Sequence, residues 1–117
     1  MPSNQLGWQD GLPRFATPLW IEKTASYTLT EADLTFDGYH RIFRMNSAST
    51  MNFTINTGLV GLAPITLVQD NSGQVTVNGT GTFRIAGAAK KTRTQYSWIT
   101  IIPGGSNLYY GSGDSEA

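Results

Sequence analysis

Large apolar side chains in this chain recur at every second position, in runs of a few residues cut by Gly, Pro, Asn and Asp. That is the period of a strand with one dry and one wet face, and it rules out amphipathic helices as the main building block. From Ser26 onward, Tyr27 and Leu29 alternate with Thr28 and Thr30, and Met51, Phe53 and Ile55 alternate with Asn52, Thr54 and Asn56. Ile65 and Leu67 lie on one face with Thr66 and Val68 on the other, and Val75 and Val77 alternate with Thr76 and Asn78. Ile42–Met45, Gln95–Ile102 and Asn107–Gly111 complete the set, with Asp70-Asn71-Ser72-Gly73 and Pro103-Gly104-Gly105 as breaks. Asn78-Gly79 suits a type I′ turn, which needs positive φ at both central residues, so 74–78 and 81–85 are expected to form a hairpin. Fifteen threonines fit a half-solvated pleat. The pattern predicts an all-β fold, a compact antiparallel β-sandwich or barrel of about seven or eight short strands. No repeat of about 20 to 50 residues is evident, which disfavours solenoids and propellers. Thr30-Glu31-Ala32-Asp33 departs from the strand pattern and has the form of a helix N-terminus, so a single helical turn is expected there, ended by Gly38.

Composition narrows what such a fold can do. A chain of 117 residues is one domain, burying roughly 65% of its unfolded surface without metal or disulfide staples. With no cysteine, thiolate zinc sites, iron–sulfur clusters and cysteine nucleophiles are excluded. The single histidine, His40, leaves a Ser-His-Asp hydrolase nothing in reserve and denies one copy of the chain a histidine-rich metal site. Charged residues are 14% of the chain and sum to zero, so the attraction a phosphate backbone demands is missing, and Lys90, Lys91 and Arg93 are the only basic group worth naming. No nucleic acid partner is expected. No apolar run approaches the ~20 residues that span a bilayer, so no membrane partner is expected either. Met1-Pro2-Ser3-Asn4-Gln5 lacks a basic n-region and an apolar core, which reads as a protein made and used without the general secretory route.

The texture changes near residue 25. Before it, Trp8, Phe15, Leu19 and Trp20 stand among Pro2, Pro13 and Pro18 with no sustained period. Proline fixes φ and withholds a donor, so residues 1–25 read as an extended N-terminal arm, residues 26–114 as the β-domain and 115–117 as a flexible C-terminal tail. Rings of this size are costly to leave in water. The arm therefore folds back as an edge cover on its own domain or lies along another protein.

Catalytic constellations are not found. The glycines at 104–105 and 111–113 do not sit between a strand and a helix, so turns explain them better than a phosphate cradle. Asp33 and Asp37 beside Glu31 read as capping acids, and Asp70 with Asn71 as an Asx-turn. No enzyme activity, cofactor or metal is expected.

The segments Tyr27–Asp33, Arg44–Ser49, Ile65–Asp70, Ser72–Val77, Gln95–Ile102 and Asn107–Asp114 resemble, in order, a small β-domain of tailed-bacteriophage virion proteins. That domain recurs in tail fibres, receptor-binding tips and head decoration or cement proteins. The chain departs from it by inserting Thr35-Phe36 before Asp37-Gly38 and by carrying the aromatic arm in place of a long fibre shaft. The resemblance implies a β-sandwich-like unit that trimerises. The function expected from residues and resemblance together is a head decoration protein on the outer surface of the capsid, made in the host cytoplasm, with the major capsid protein and its own copies as partners. Trp8, Phe15, Leu19 and Trp20 are the expected capsid-docking residues, and Phe83, Ile85, Trp98 and Ile101 the candidate trimer interface. The alternative is a tail-fibre or receptor-binding module whose Tyr109, Tyr110 and Trp98 engage a cell-surface glycan.

Overall fold

The computed structural model describes residues 16–117 together with the backbone of two short N-terminal strands. In chain order the strands are β1 (Trp8–Gln9), β2 (Leu12–Pro13), β3 (Thr17–Lys23), β4 (Tyr27–Thr28), β5 (Tyr39–Met45), β6 (Met51–Thr54), β7 (Ile65–Gln69), β8 (Val75–Asn78), β9 (Thr82–Ile85), β10 (Lys91–Thr92), β11 (Trp98–Gly105), β12 (Leu108–Gly113) and β13 (Ser115–Glu116). β1 and β2 pair with each other. The rest form two sheets, a larger one in the order β3-β5-β7-β11-β12-β9 and a smaller one in the order β13-β10-β8-β6-β4.

The chain steps from one sheet to the other at almost every corner, and this makes its first half a solenoid. β3, β5 and β7 pair in parallel in the larger sheet, and β4, β6 and β8 pair in parallel in the smaller. Each strand couple β3–β4, β5–β6 and β7–β8 is thus one coil stacked on the next. The all-β expectation holds, but the antiparallel sandwich or barrel does not, because the sheets are mixed. A repeat is present after all. Phe43 lies beside Leu67, and Phe53 beside Val77, each at an offset of 24 residues. The first coil breaks that period, with offsets of 22 in the larger sheet and 26 in the smaller, because Ile21 to Tyr27 is a shorter path than Phe43 to Phe53 while the return from Tyr27 to Phe43 is longer than that from Phe53 to Leu67. Uneven corners and a degenerate core hide such a repeat from a scan for self-similarity.

Stacked positions build the core. Tyr27, Phe53 and Val77 form one ladder; Ile21, Phe43 and Leu67 form another across the interior. The rings of Tyr27, Phe43 and Phe53 meet at centroid distances of 5.2 to 6.0 Å, tying the two sheets together at the first two coils. Such pairs contribute about 0.5–1.5 kcal/mol each beyond their burial. The corners are laddered in polar atoms. Asn46 Nδ2 donates to Glu22 Oε2 at 2.8 Å, and Asn71 Nδ2 donates to Asn46 Oδ1 at 3.0 Å, linking three successive corners. Asn78 Nδ2 donates to Asn52 Oδ1 at 2.9 Å at the end of the smaller sheet.

That last bond explains why the expected hairpin at Asn78-Gly79 is absent. Gly79 has φ +121°, but Asn78 is not in the positive-φ region, so a type I′ turn cannot form there. A Cβ on Gly79 would lie 2.3 Å from the carbonyl oxygen of Ile55, so the chain hugs the coil below and crosses to the far edge of the larger sheet. There β9 pairs in parallel with β12. The two-residue hairpin turn is at Ser106-Asn107, with φ of 54° and 63°, joining β11 to β12.

The helical turn is present as a 3-10 turn at Glu31–Leu34, ending at Thr35 rather than at Gly38. Its hub is the buried Asp33. One carboxylate oxygen accepts from the Tyr27 hydroxyl at 2.6 Å, the Thr30 N–H at 2.9 Å and the Thr30 hydroxyl at 3.1 Å. Burial first, and then the bond to Asp33, push the Tyr27 phenol up to about 12.

The two ends of the chain depart from the expected boundaries. Residues 17–23, expected within an arm that either covers an edge of its own domain or lies along another protein, form the edge strand of the domain's own larger sheet, as the first of those alternatives has it. Pro18 sits in that edge strand, and Lys23 turns inward with Nζ 4.1 Å from the centroid of the Tyr27 ring. Ser115–Glu116, expected as a flexible tail, pairs with β10. Just before it, Arg93 donates Nε and Nη2 to the two oxygens of Asp114 at 2.6 and 2.9 Å, and the Ser97 hydroxyl donates to the same carboxylate at 2.9 Å. The Arg93 bond, seconded by Ser97, holds the Asp114 carboxyl below its usual range.

Two outcomes are expected. Because the chain has no cysteine, the variant Thr82→Cys with Leu108→Cys forms a disulfide under mild oxidation, seen as a gel shift, since parallel neighbours in this register come within bonding reach. The second concerns alkaline pH. The phenol of Tyr27 releases its proton near 12 in the folded chain and near 10 when unfolded, so its contribution to stability is complete below pH 10 and fades as pH rises through 12. Tyr27→Phe lowers stability by about 1 kcal/mol at neutral pH and flattens that alkaline decline, read from urea midpoints across the range.

Candidate functional site

Alternation along the strands of the larger sheet sends one set of side chains into the core and the other onto an outer face that no element of the described chain covers. From edge to edge this face presents Pro18, Trp20 and Glu22 on β3; His40, Ile42 and Arg44 on β5; and Thr66 and Val68 on β7. It continues with Trp98, Thr100 and Ile102 on β11, Tyr110 and Ser112 on β12, and Arg84 on β9.

Two strands, β5 and β7, separate Trp20 from Trp98, a backbone distance of roughly 14 Å at the usual strand spacing. Yet their ring centroids are 5.8 Å apart, edge to face. Both indoles therefore lean inward and meet above the strands between them, where Ile42 and Val68 are 7% and 4% exposed although they point away from the core. The Arg44 guanidinium stacks 4.9 Å from the Trp20 ring centroid and lies 3.9 Å from the Asp70 carboxylate. This small outer cluster keeps Trp20 and Trp98 47% and 43% exposed while fastening the edge strand β3 to the middle of the sheet.

Beside the tryptophans the surface drops to short polar side chains. His40 Nε2 is 2.8 Å from the Thr66 hydroxyl, which is 3.0 Å from the Thr100 hydroxyl, and Ser112 stands next to Thr100 in register. Beyond them the surface rises again at Ile102, Tyr110 and Arg84, which are register neighbours on β11, β12 and β9. Ile102 and Tyr110 are half exposed and Arg84 is exposed. The outcome is a shallow trough with a hydroxyl and imidazole floor between two apolar rims. A separate apolar cleft of about 480 Å³ opens at the stacked corners, lined by Leu34, Phe36, Leu62 and Pro64 among others.

The structure sorts the expected site residues. Trp20 sits on the outer face of its own domain, and Leu19 is half buried on the opposite side of the same strand. Trp8 and Phe15 have side chains outside the described residues. Of the expected trimer interface, Trp98 is on the outer face, but Ile101 is fully buried in the core and cannot serve. Phe83 and Ile85 face inward at half burial, and Phe83 packs 5.9 Å from the Tyr109 ring. Tyr109 is 2% exposed and is a core residue, so a glycan face made of Tyr109, Tyr110 and Trp98 is corrected to Tyr110 and Trp98. Parity carries both corrections: residues one or three apart on a strand point to opposite faces. The same parity, applied to Trp98, leads to Thr100 and Ile102, which the sequence reading passed over. Arg84 and His40 carried no signal of their own, because only the pairing of distant strands places them here. Among the described residues no group of three His, Asp or Glu side chains stands close enough to hold a metal ion.

Compared with protein-family models, with curated proteins and with solved structures, the chain gives no match.

Trp20→Ala is expected to lower stability by about 1–2 kcal/mol, less than for a fully buried tryptophan because half of this ring is in water. In a double-mutant cycle with Trp98→Ala, chemical denaturation is expected to return a coupling of about 0.5–1.5 kcal/mol.

Proposed function

We propose that the chain is a structural protein of a tailed-phage virion, a head decoration protein that works as a homotrimer on the outer surface of the capsid and holds adjacent major capsid subunits. The observation that carries this reading is the outer face of the larger sheet: half-exposed Trp20, Trp98, Ile102 and Tyr110 on a rigid sheet form an adhesive surface of the kind that marks a contact. The resemblance to phage virion β-domains supports it, since its segments run through both sheets and through the 3-10 turn. In this reading the sheet face takes over part of the role assigned to the arm. Trp20 contributes through the face, and the clamp is left to Trp8 and Phe15. Three copies on a local threefold axis bind at once, so modest single contacts add up to lasting attachment.

A second reading, a tail-fibre or receptor-binding module, is favoured by one specific observation. Trp98 and Tyr110 are exposed on the same face with a polar floor between them, an arrangement suited to sugar rings.

Added to expanded capsids that lack decoration, the purified chain is expected to co-sediment and raise the temperature of capsid rupture. Deleting residues 1–15, or changing Trp98 and Tyr110 to Ala, weakens retention at least tenfold. No retention by the intact chain would overturn the decoration reading. Immunogold label on the tail instead of the head would favour the second reading.

A further inference from the structure

We propose that the outer trough of the larger sheet is a binding site for an acidic saccharide, with Arg84 holding the carboxylate. The inference rests on the second reading of the function and gives that reading its ligand class and its specificity residue.

Charge along the face is the first argument. At the tryptophan end, Arg44 is answered by Asp70 at 3.9 Å, Glu22 accepts a hydrogen bond from Asn46, and Asp114, beside Trp98, is paired with Arg93. That end is close to neutral. At the other end Arg84 is exposed and, among the described residues, makes no salt bridge. A guanidinium presents a planar fork of donors that fits a carboxylate bidentately. The face therefore offers one unanswered cation, at one end of a row that is otherwise Ile102 and Tyr110.

The second argument is the shape given by register. Outward positions on β11 run Trp98, Thr100, Ile102, large then short then large, and on β12 Tyr110 is large and Ser112 short. Rims four residues apart along a strand are roughly 13 Å apart, which leaves room for a pyranose or two between them. A sugar has the complementary surfaces: apolar C–H faces for Trp98 and Tyr110, and hydroxyls for Thr100, Ser112 and His40 on the floor. The Thr66 hydroxyl is occupied by His40 and Thr100, so it orients the floor and does not itself meet the ligand.

The test is isothermal titration calorimetry of the full chain with a galacturonic acid tetrasaccharide and with the neutral galactose tetrasaccharide of the same linkage. The acidic sugar is expected to bind at least tenfold more tightly, and raising salt from about 50 to 500 mM to erase most of that preference, because an exposed ion pair is screened. Arg84→Gln, whose side chain points to solvent, is expected to abolish the preference with the thermal midpoint unchanged. Tyr110→Ala is expected to weaken both sugars. Equal binding of both sugars with no effect of Arg84→Gln overturns the acidic specificity and leaves the glycan reading standing. Absence of binding to either sugar overturns both. Sedimentation showing oligomers that Tyr110→Arg dissociates, with no sugar bound, assigns the face to self-association and overturns the proposal.

Discussion

Everything in this fold depends on parallel stacking of one coil on the next. A strand in the middle coil donates and accepts backbone hydrogen bonds on both sides, so each sheet position fixes the position above and below it. Side chains follow in columns. Tyr27, Phe53 and Val77 fill one column, and Glu22, Asn46 and Asn71 form a polar column at the corners of the coils. The polar column matters because corner backbone is the part of a solenoid that water can enter, and side-chain amides tie successive corners where strand pairing has stopped. The C-terminal third closes the stack by a different route. β11, β12 and β9 extend the larger sheet, and β10 and β13 extend the smaller, with direction reversed at the first addition to each.

The sequence was most legible where one face of a strand is dry and the other wet. Met51, Phe53 and Ile55 point inward and Asn52 and Asn56 outward, as their alternation implies. The Thr30–Asp33 turn was legible too, because its chemistry is local: a carboxylate three residues on reaches back to an N–H. What alternation cannot carry is which strands are neighbours. The partner of β9 is β12, twenty-six residues further along at Leu108 against Thr82, and nothing between them announces it. Asn78-Gly79 shows how a local signal is overridden. The dipeptide is a good turn former, but hydrogen bonds from Asn78 to the coil below and the close approach of Gly79 to Ile55 decide the direction. The trough was half legible. Trp98 and Tyr110 stood out by size, whereas Arg84 and His40 join them only through tertiary pairing.

The outer cluster accounts for an oddity of β7, which is buried along its whole length although one face looks away from the core. Trp20 and Trp98 shelter Val68, and hydrogen bonding takes up the Thr66 hydroxyl. The larger sheet is thus dry on both sides at its centre without a second layer of secondary structure among the described residues. The same indoles that stabilise the edge strand remain half exposed, so stability and surface chemistry are carried by the same atoms.

A stack of parallel coils invites endless extension: its last strand offers unmet backbone groups to any similar strand, and head-to-tail addition that does not close a ring grows into a filament. The first coil discourages this. Pro18 withholds a donor from the edge, and Lys23, turned inward over Tyr27, would place a charge in any coil stacked upon it. A like strand arriving at this edge therefore meets a missing donor and a buried charge, so backbone pairing is disfavoured where the stack would otherwise grow.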